Sequence, residues 1–449
     1  MIHAYRLHGK GIVLDIGSGS VHVADPLAYE MITQWEQARR PVPGEPEERT
    51  ELRTEIEALI RDGKLFAPER FGETDFAALA AQRETPPVVK ALCLHVSHTC
   101  NLTCDYCFAQ AGRYCGPQAL MPFGIGKQAL DFLLGASGTR RNLEVDFFGG
   151  EPLMNWQVVK DLVAYARSRE AEMGKRFRFT LTTNGLLIDS DVIDFVNREM
   201  ANVVLSLDGR KEIHDSLRRT VSGKGSYETV VPKFRDLVQA RSGKNYYMRG
   251  TFTHANPDFT QDIYHMAALG FRSLSMEPVV CAPESPHALT KEDIAQVLQE
   301  YERLALEMAR RRGTAEEFSF YHYLLDLAHG PCLFKRIAGC GSGTEYLAVT
   351  PAGELYPCHQ FVGEKDFCMG DIWRGVTNQA LRGAFCGCTL YSRPQCRECW
   401  ARLYCSGGCA ANAYHASGSI RGIHEEGCIL FRKRMECAIW LAAERFGNG

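Results

Sequence analysis

Three cysteines stand together in "CNLTCDYC", residues 100–107, spaced C-x3-C-x2-C, with Tyr106 directly before the third. Thiolates are soft ligands for iron and zinc. Three of them can hold three irons of a [4Fe–4S] cube and leave the fourth iron without a protein ligand. The other reading is a tetrahedral zinc site completed by His95 or His98. Cys100, Cys104 and Cys107 are therefore candidate catalytic metal ligands, and what occupies the fourth position depends on the rest of the chain.

A second set of cysteines lies near the C-terminus. Cys340 and Cys358 bracket "GSGTEYLAVTPAGELYP", with Gly353 five residues before the second, and "CRECWARLYCSGGC" places Cys396, Cys399, Cys405 and Cys409 as C-x2-C-x5-C-x3-C. Cys428 follows alone. Spacing by itself also suits a zinc ribbon. Cys93, Cys115, Cys281, Cys368, Cys386, Cys388 and Cys437 have no motif partners, and Cys93 and Cys437 sit in apolar contexts suited to buried structural thiols. The chain has 18 cysteines. Disulfides call for an oxidising compartment, but "MIHAYRLHGKGIVLD" lacks a signal peptide's apolar region and no apolar run is long enough to span a bilayer. The expected location is cytoplasmic, away from membranes, and metal ligation is the preferred use of the thiols. A net charge of −3, without blocks of like charge, gives no reason to expect nucleic acid.

The elements that position these residues fall into three regions. In residues 1–85, "IVLDI", a "GSGS" turn and "VHVAD" predict a hairpin. A helix is expected from Pro26, another carries Leu52, Ile56, Leu59 and Ile60 on one face, and "RDGKLF" should return to a short strand. Together they make a small winged-helix-like α+β unit. Over residues 86–320, strand-like runs at 91–97, 143–150, 178–185, 202–209, 246–253 and 272–280 alternate with helices such as "WQVVKDLVAYARSREAEM". This predicts an α/β fold, a partial (β/α)6 TIM-like barrel with ligands at the C-terminal strand ends. Residues 321–449, Cys- and Gly-rich, are expected to form short elements organised by metal rather than by a large core.

The triad after the first strand, with its preceding aromatic residue, resembles the radical S-adenosylmethionine (SAM) superfamily. The resemblance implies that SAM fills the open iron site, that an electron passed into the sulfonium cleaves it, and that the resulting 5′-deoxyadenosyl radical takes a substrate hydrogen. "FFGGEPLM" resembles the family's Gly-Gly-Glu-Pro motif: Gly149 and Gly150 would let the backbone approach the methionine amino group, and Glu151 would accept from it. "TLTTNG" puts Thr183 and Asn184 near the cosubstrate. Ser206 and Asp208 of "SLDG" would meet the ribose or carboxylate, Arg218 of "HDSLRR" the methionine carboxylate, and Glu277 and Val279 of "SMEPVV" the adenine. Tyr106 belongs to the same cofactor-binding set.

The C-terminal spacings resemble the SPASM extension of peptide-modifying radical SAM enzymes, which implies two auxiliary [4Fe–4S] clusters and three in all. Cys396, Cys399, Cys405 and Cys428 would hold the second, and Cys340, Cys358 and Cys409 the first. The first is then one ligand short: either Cys332 supplies it or the site is open, and the open site is the favoured reading. "GIVLDIGSGSVHVAD" and "KRIAGCGSGTEYLAVTPAGELYPCHQFVG" look more specifically like maturases of SCIFF peptides (sactipeptide and ranthipeptide synthases). That likeness implies an oxidoreductase forming a thioether between a peptide Cys sulfur and an acceptor carbon, of threonine in that family. Its partners would be a Cys-rich precursor, whose leader binds the N-terminal unit, and an electron donor such as ferredoxin or flavodoxin. The rivals are another SPASM enzyme, such as an anaerobic sulfatase maturase, and a zinc-bound, non-catalytic peptide-binding protein.

Overall fold

The computed structural model describes the chain except residues 70, 71, 73, 76, 78–86, 115, 283, 328–332 and 447–449. At the N-terminus, β1 (Ile2–Leu7), β2 (Lys10–Asp15) and β3 (Val21–Ala24) form an antiparallel sheet in that order. The β2–β3 connection is closed by Asp15, fully buried, which accepts from the Ser18 amide and hydroxyl and from the Ala67 amide. Asp25 caps the helix Pro26–Thr33 by accepting from the Ala28 amide at 2.8 Å. The helix Glu47–Arg61 turns Ile56 into a small core with Val13, Met31, Ile32 and Leu65. The strand expected at "RDGKLF" is absent. That stretch is turn and bend, with Gly63 and Phe66 at positive φ, and the Ala67 amide goes to Asp15 instead of a ladder partner.

The chain then lays down β4 (Ala91–Ser97), β5 (Leu102–Cys104), β6 (Asn142–Gly149), β7 (Arg176–Thr183), β8 (Met200–Ser206), β9 (Arg218–Thr220), β10 (Tyr246–Phe252), β11 (Ser273–Pro278) and β12 (Ser319–Phe320). The six expected strands β4, β6, β7, β8, β10 and β11 pair in parallel in chain order, with β12 parallel beyond β11. Alternation sets their faces. Leu143, Val145 and Phe147 of β6 and Phe177, Phe179 and Leu181 of β7 share one buried core with Val159, Leu162 and Val163 of the helix Trp156–Met173. That helix ends at Gly174, whose left-handed φ of 63° closes it.

The third region departs from expectation. β13 (Tyr346–Val349) pairs in parallel with β4, Tyr346 opposite Ala91, and β14 (Glu354–Tyr356), β15 (Gly370–Asp371) and β16 (Gly375–Val376) continue antiparallel. The Cys-rich part is thus continuous with the main sheet, which has eleven strands among the described residues. It also ends in a long helix, Glu425–Phe446, which packs on the helix Lys291–Arg311 and buries Ala438, Ile439, Trp440 and Leu441. The same helix receives the N-terminal sheet: the Tyr5 hydroxyl donates to the Glu436 carbonyl at 2.7 Å, and His3 pairs with the Glu436 carboxylate at 3.0 Å and stacks on Trp400. Among the described residues no helix is long and apolar enough to cross a membrane.

Candidate active site

The loop leaving β4 carries Cys100, and the short β5–β9 ribbon that follows fixes Cys104 opposite Arg218. Cys100 Sγ accepts from the Leu102 amide at 3.4 Å and lies 3.7 Å from Asn184 Nδ2. The Asn184 amide group also donates to Asn101 Oδ1 at 2.8 Å, which ties the end of β7 to the triad loop. The three thiols lie within one another's electrostatic reach. Burial pushes Cys100 and Cys104 up to about 12, and for Cys104 the Arg218 guanidinium opposes that rise. Losing these protons calls for a metal, which binds thiolate rather than thiol.

Gly149 and Gly150 do pack closely, but against protein. A Cβ on Gly149 would lie 2.2 Å from the Ser97 carbonyl oxygen, and one on Gly150 would lie 2.2 Å from that of Thr99. These glycines seat the cysteine loop on the sheet, because a side chain at either position would collide with the backbone of Ser97 or Thr99. Gly149 also has φ 127°, open in practice only to glycine.

Glu151 follows, fully buried. It accepts from Thr183 Oγ1 at 2.8 Å, the Asn184 amide at 2.8 Å and the Leu153 amide at 3.0 Å. Burial raises its carboxyl to about 7 even though the three donors pull it down. None of the three is a cation. A carboxylate held in place without a counter-charge is suited to an ammonium group.

Tyr106, Asp208 and Arg218 form one unit. Arg218 donates to both carboxylate oxygens of the fully buried Asp208, at 2.7 and 3.1 Å. The Tyr106 hydroxyl adds a bond at 2.7 Å, and the Arg218 guanidinium lies over the Tyr106 ring. Both Asp208 and Arg218, assigned separately to cosubstrate contacts from sequence, have each other as partners here; two opposite charges this deeply placed pair before either meets a ligand. Glu277 is likewise engaged, with Arg434 at 3.2 Å and His322 at 3.1 Å, and so bonds the end of β11 to the C-terminal helix. Ser206 is half-buried at the end of β8 opposite Arg249, and the amide of the nearly buried Val279 donates to the Phe252 carbonyl.

The histidines offered for the zinc reading face each other: His95 Nδ1 and His98 Nε2 are 3.1 Å apart, and His98 stacks on Tyr114, whose hydroxyl donates to the Gly149 carbonyl. Burial lowers His98 to about 4 and holds His95 well below the ordinary imidazole range, which favours the neutral ring in both.

The C-terminal thiols fall into two groups. The charges of Cys396, Cys399 and Cys428 all bear on Cys405, and Cys340 and Cys409 bear on Cys358. Cys388, which the motifs did not assign, lies within reach of Cys340. Cys332 and Cys115 lie outside the described residues. Among the described residues no three His, Cys, Asp or Glu side chains are close enough to hold a single metal ion. Sequence reasoning also missed Asn101, His322, Arg434 and Arg393. Asn101 stands inside the C-x3-C-x2-C motif and Arg393 three residues before Cys396, but neither is a thiol, and His322 and Arg434 sit in no cysteine motif.

The thiol triad thus stands at the C-terminal end of the first strand of a parallel α/β sheet. Residues 94–266 match the model of the Radical SAM superfamily. It is 24% identical to the cysteine-type anaerobic sulfatase-maturating enzyme of Clostridium novyi, over 70% of this chain and 86% of the relative. Its fold is similar to that of anSMEcpe solved with bound AdoMet and the Kp18Cys peptide: TM-score 0.64 at 20% identity, covering 78% of this chain and 96% of that one. It is also similar to Streptococcus suis SuiB bound to the precursor peptide SuiA: TM-score 0.56 at 15% identity, covering 94% and 97%.

Proposed function

We propose that this enzyme forms an intramolecular thioether in a ribosomally made, Cys-rich peptide, joining a Cys sulfur to a carbon of an acceptor residue such as threonine. The observation that carries the reading is the unequal grouping of the C-terminal thiols. Cys396, Cys399, Cys405 and Cys428 are enough for a complete cluster, whereas the motif thiols grouped with Cys358 among the described residues, Cys340 and Cys409, make only three and would leave one iron open to a substrate thiolate. In this reading residues 1–85 hold the leader, 86–320 hold SAM and the first cluster, and 321–449 hold two auxiliary clusters. β3 is an edge strand with Val23 exposed, so a leader can add to it as a further strand.

Cys100, Cys104 and Cys107 would hold the cluster whose open iron takes SAM, and the bound pair supplies the radical that removes the acceptor's hydrogen. The chain's own contribution is to orient. Glu151 accepts the methionine ammonium, fixed by Thr183 and the Asn184 backbone. Cys340, Cys358 and Cys409 would hold an auxiliary cluster whose open iron would take the peptide sulfur as a thiolate.

A pH dependence follows from Glu151. An acid raised from 4.5 to about 7 favours its neutral form: its contribution to stability is present below 4.5 and is lost as pH rises through about 7. A bound ammonium reverses this by favouring the anion. SAM affinity should therefore fall by up to about tenfold per pH unit below about 7. Equilibrium binding across that range should show the slope, and Glu151→Gln should weaken binding and flatten it. A flat wild-type profile removes the ammonium contact.

The test of the function begins with iron, sulfide and zinc in anaerobically reconstituted protein. About twelve irons per chain are expected, or eleven with an incomplete cluster. With a cognate Cys-rich peptide, SAM and reductant, the product should be lighter by two hydrogens and carry a thioether. Cys399→Ala should keep SAM cleavage and lose the crosslink. An aldehyde product would move the chain to the sulfatase-maturase reading, and zinc without iron would leave a binding protein.

A further inference from the structure

Arg393 is one of the largest fully buried side chains, 1% exposed. A guanidinium is permanently cationic, and burying one costs several kcal/mol unless a counter-charge compensates. Among the described residues Arg393 has no carboxylate partner. It donates to the carbonyls of Gly422 at 3.0 Å, Ile420 at 2.8 Å and Thr389 at 3.4 Å, and to Cys388 Sγ at 3.2 Å. Three carbonyls and a thiol fix its direction without neutralising it.

Its position is specific. Its charge bears on Cys409 in one thiol group and on Cys396 and Cys428 in the other. The chain makes room for it: a Cβ on Gly407, between Cys405 and Cys409, would lie 2.5 Å from Arg393 Nη1, and Gly407 also has φ 82°. A buried cation wedged between two sets of metal-binding thiols, with no carboxylate of its own, has its counter-charge in what those thiols hold.

We infer that Arg393 is the shared counter-cation of the two auxiliary clusters and raises the reduction potential of both. The inference rests on the auxiliary-cluster reading above. Each cluster takes one electron from the external reductant and gains one negative charge, with no bond made or broken. A fixed cation nearby stabilises the more negative state. Arg393 is thereby a positioning residue for the electron that leaves the coupled product, because both acceptors are tuned by one charge.

The experiment is a potentiometric titration of reconstituted full-length protein, followed by electron paramagnetic resonance. Wild-type iron for only one cluster overturns the auxiliary-cluster reading itself, before any variant is made. With three clusters present, Arg393→Gln should lower the reduced-to-oxidised ratio of both auxiliary clusters at least tenfold at a given potential, about 59 mV for one electron. Arg393→Lys should recover most of that ratio. The SAM-site cluster, recognised by its spectral change on adding SAM, should not move. Should Arg393→Gln lose the C-terminal iron while Arg393→Lys keeps it, the counter-charge is equally supported. Unchanged potentials in Arg393→Gln, equal shifts in both variants, or loss of iron from both overturns it, since each assigns Arg393 to packing alone.

Discussion

Cys104→Ala is expected to leave a folded chain that no longer cleaves SAM. Cys104 closes β5 and faces Arg218 across the ribbon, yet the backbone carries the local structure: its carbonyl accepts from the Cys107 amide at 3.1 Å, and Leu102 and Thr103 remain paired with Thr220 and Arg219. Removing Sγ takes nothing from that ladder. What is lost is one of three thiols whose protons burial holds on, to about 12 for Cys104, and which only a metal displaces. Two remaining thiols cannot hold a cube with a single open iron. Reconstituted Cys104→Ala should carry about four fewer irons than wild type, show the same far-ultraviolet circular dichroism, and yield no 5′-deoxyadenosine above a protein-free control under reducing, anaerobic conditions. Retained cleavage would mean that the triad is not the SAM-cluster site.

How much of this was legible in the sequence depended on which forces leave a linear trace. The six parallel strands were readable because β6, β7 and β10 alternate buried and more exposed residues while β4, "ALCLHVS", is a short buried run, and each pairs with its neighbour in order. The triad and Glu151 were readable because their spacing is local. The continuity of the Cys-rich region with the sheet was not, because β13 pairs with β4 across some 250 residues and "YLAV" alone gives only a short apolar run. The Glu425–Phe446 helix was obscured by its scattered charges and small apolar residues. The packing role of Gly149 and Gly150 left no trace for a different reason. Sequence shows that a side chain is missing there but not which neighbour needs the space, and that neighbour is the backbone of Ser97 and Thr99. Arg393 was overlooked because an isolated arginine in sequence says nothing about its burial.

Partner choice among charged groups is the least legible property of all, and Asp208→Ala tests it with a large effect. Asp208 is fully buried, while Arg218 is only 12% exposed at its side chain. Burial alone would raise the Asp208 carboxyl, but the Arg218 charge and the hydrogen bonds from Arg218 and Tyr106 outweigh it and hold the group below the ordinary carboxylate range. An acid lowered in this way contributes stability above its ordinary range, and that contribution is lost as pH falls through its folded value. Asp208→Ala leaves the Arg218 guanidinium, the Tyr106 hydroxyl and the Thr251 amide without their shared acceptor. The expected loss is about 3–5 kcal/mol near neutral pH, read as a lower urea midpoint, and the gap from wild type should narrow as pH is lowered. Because Tyr106 immediately precedes Cys107, SAM cleavage should fall as well. Asp208→Asn, whose single amide oxygen can still accept from either Thr251 or Tyr106, should lose less. A loss below about 1 kcal/mol, the scale of an exposed pair, would mean that Asp208 does not hold Arg218, and the guanidinium would then be free for the carboxylate of SAM, as the motif order first suggested.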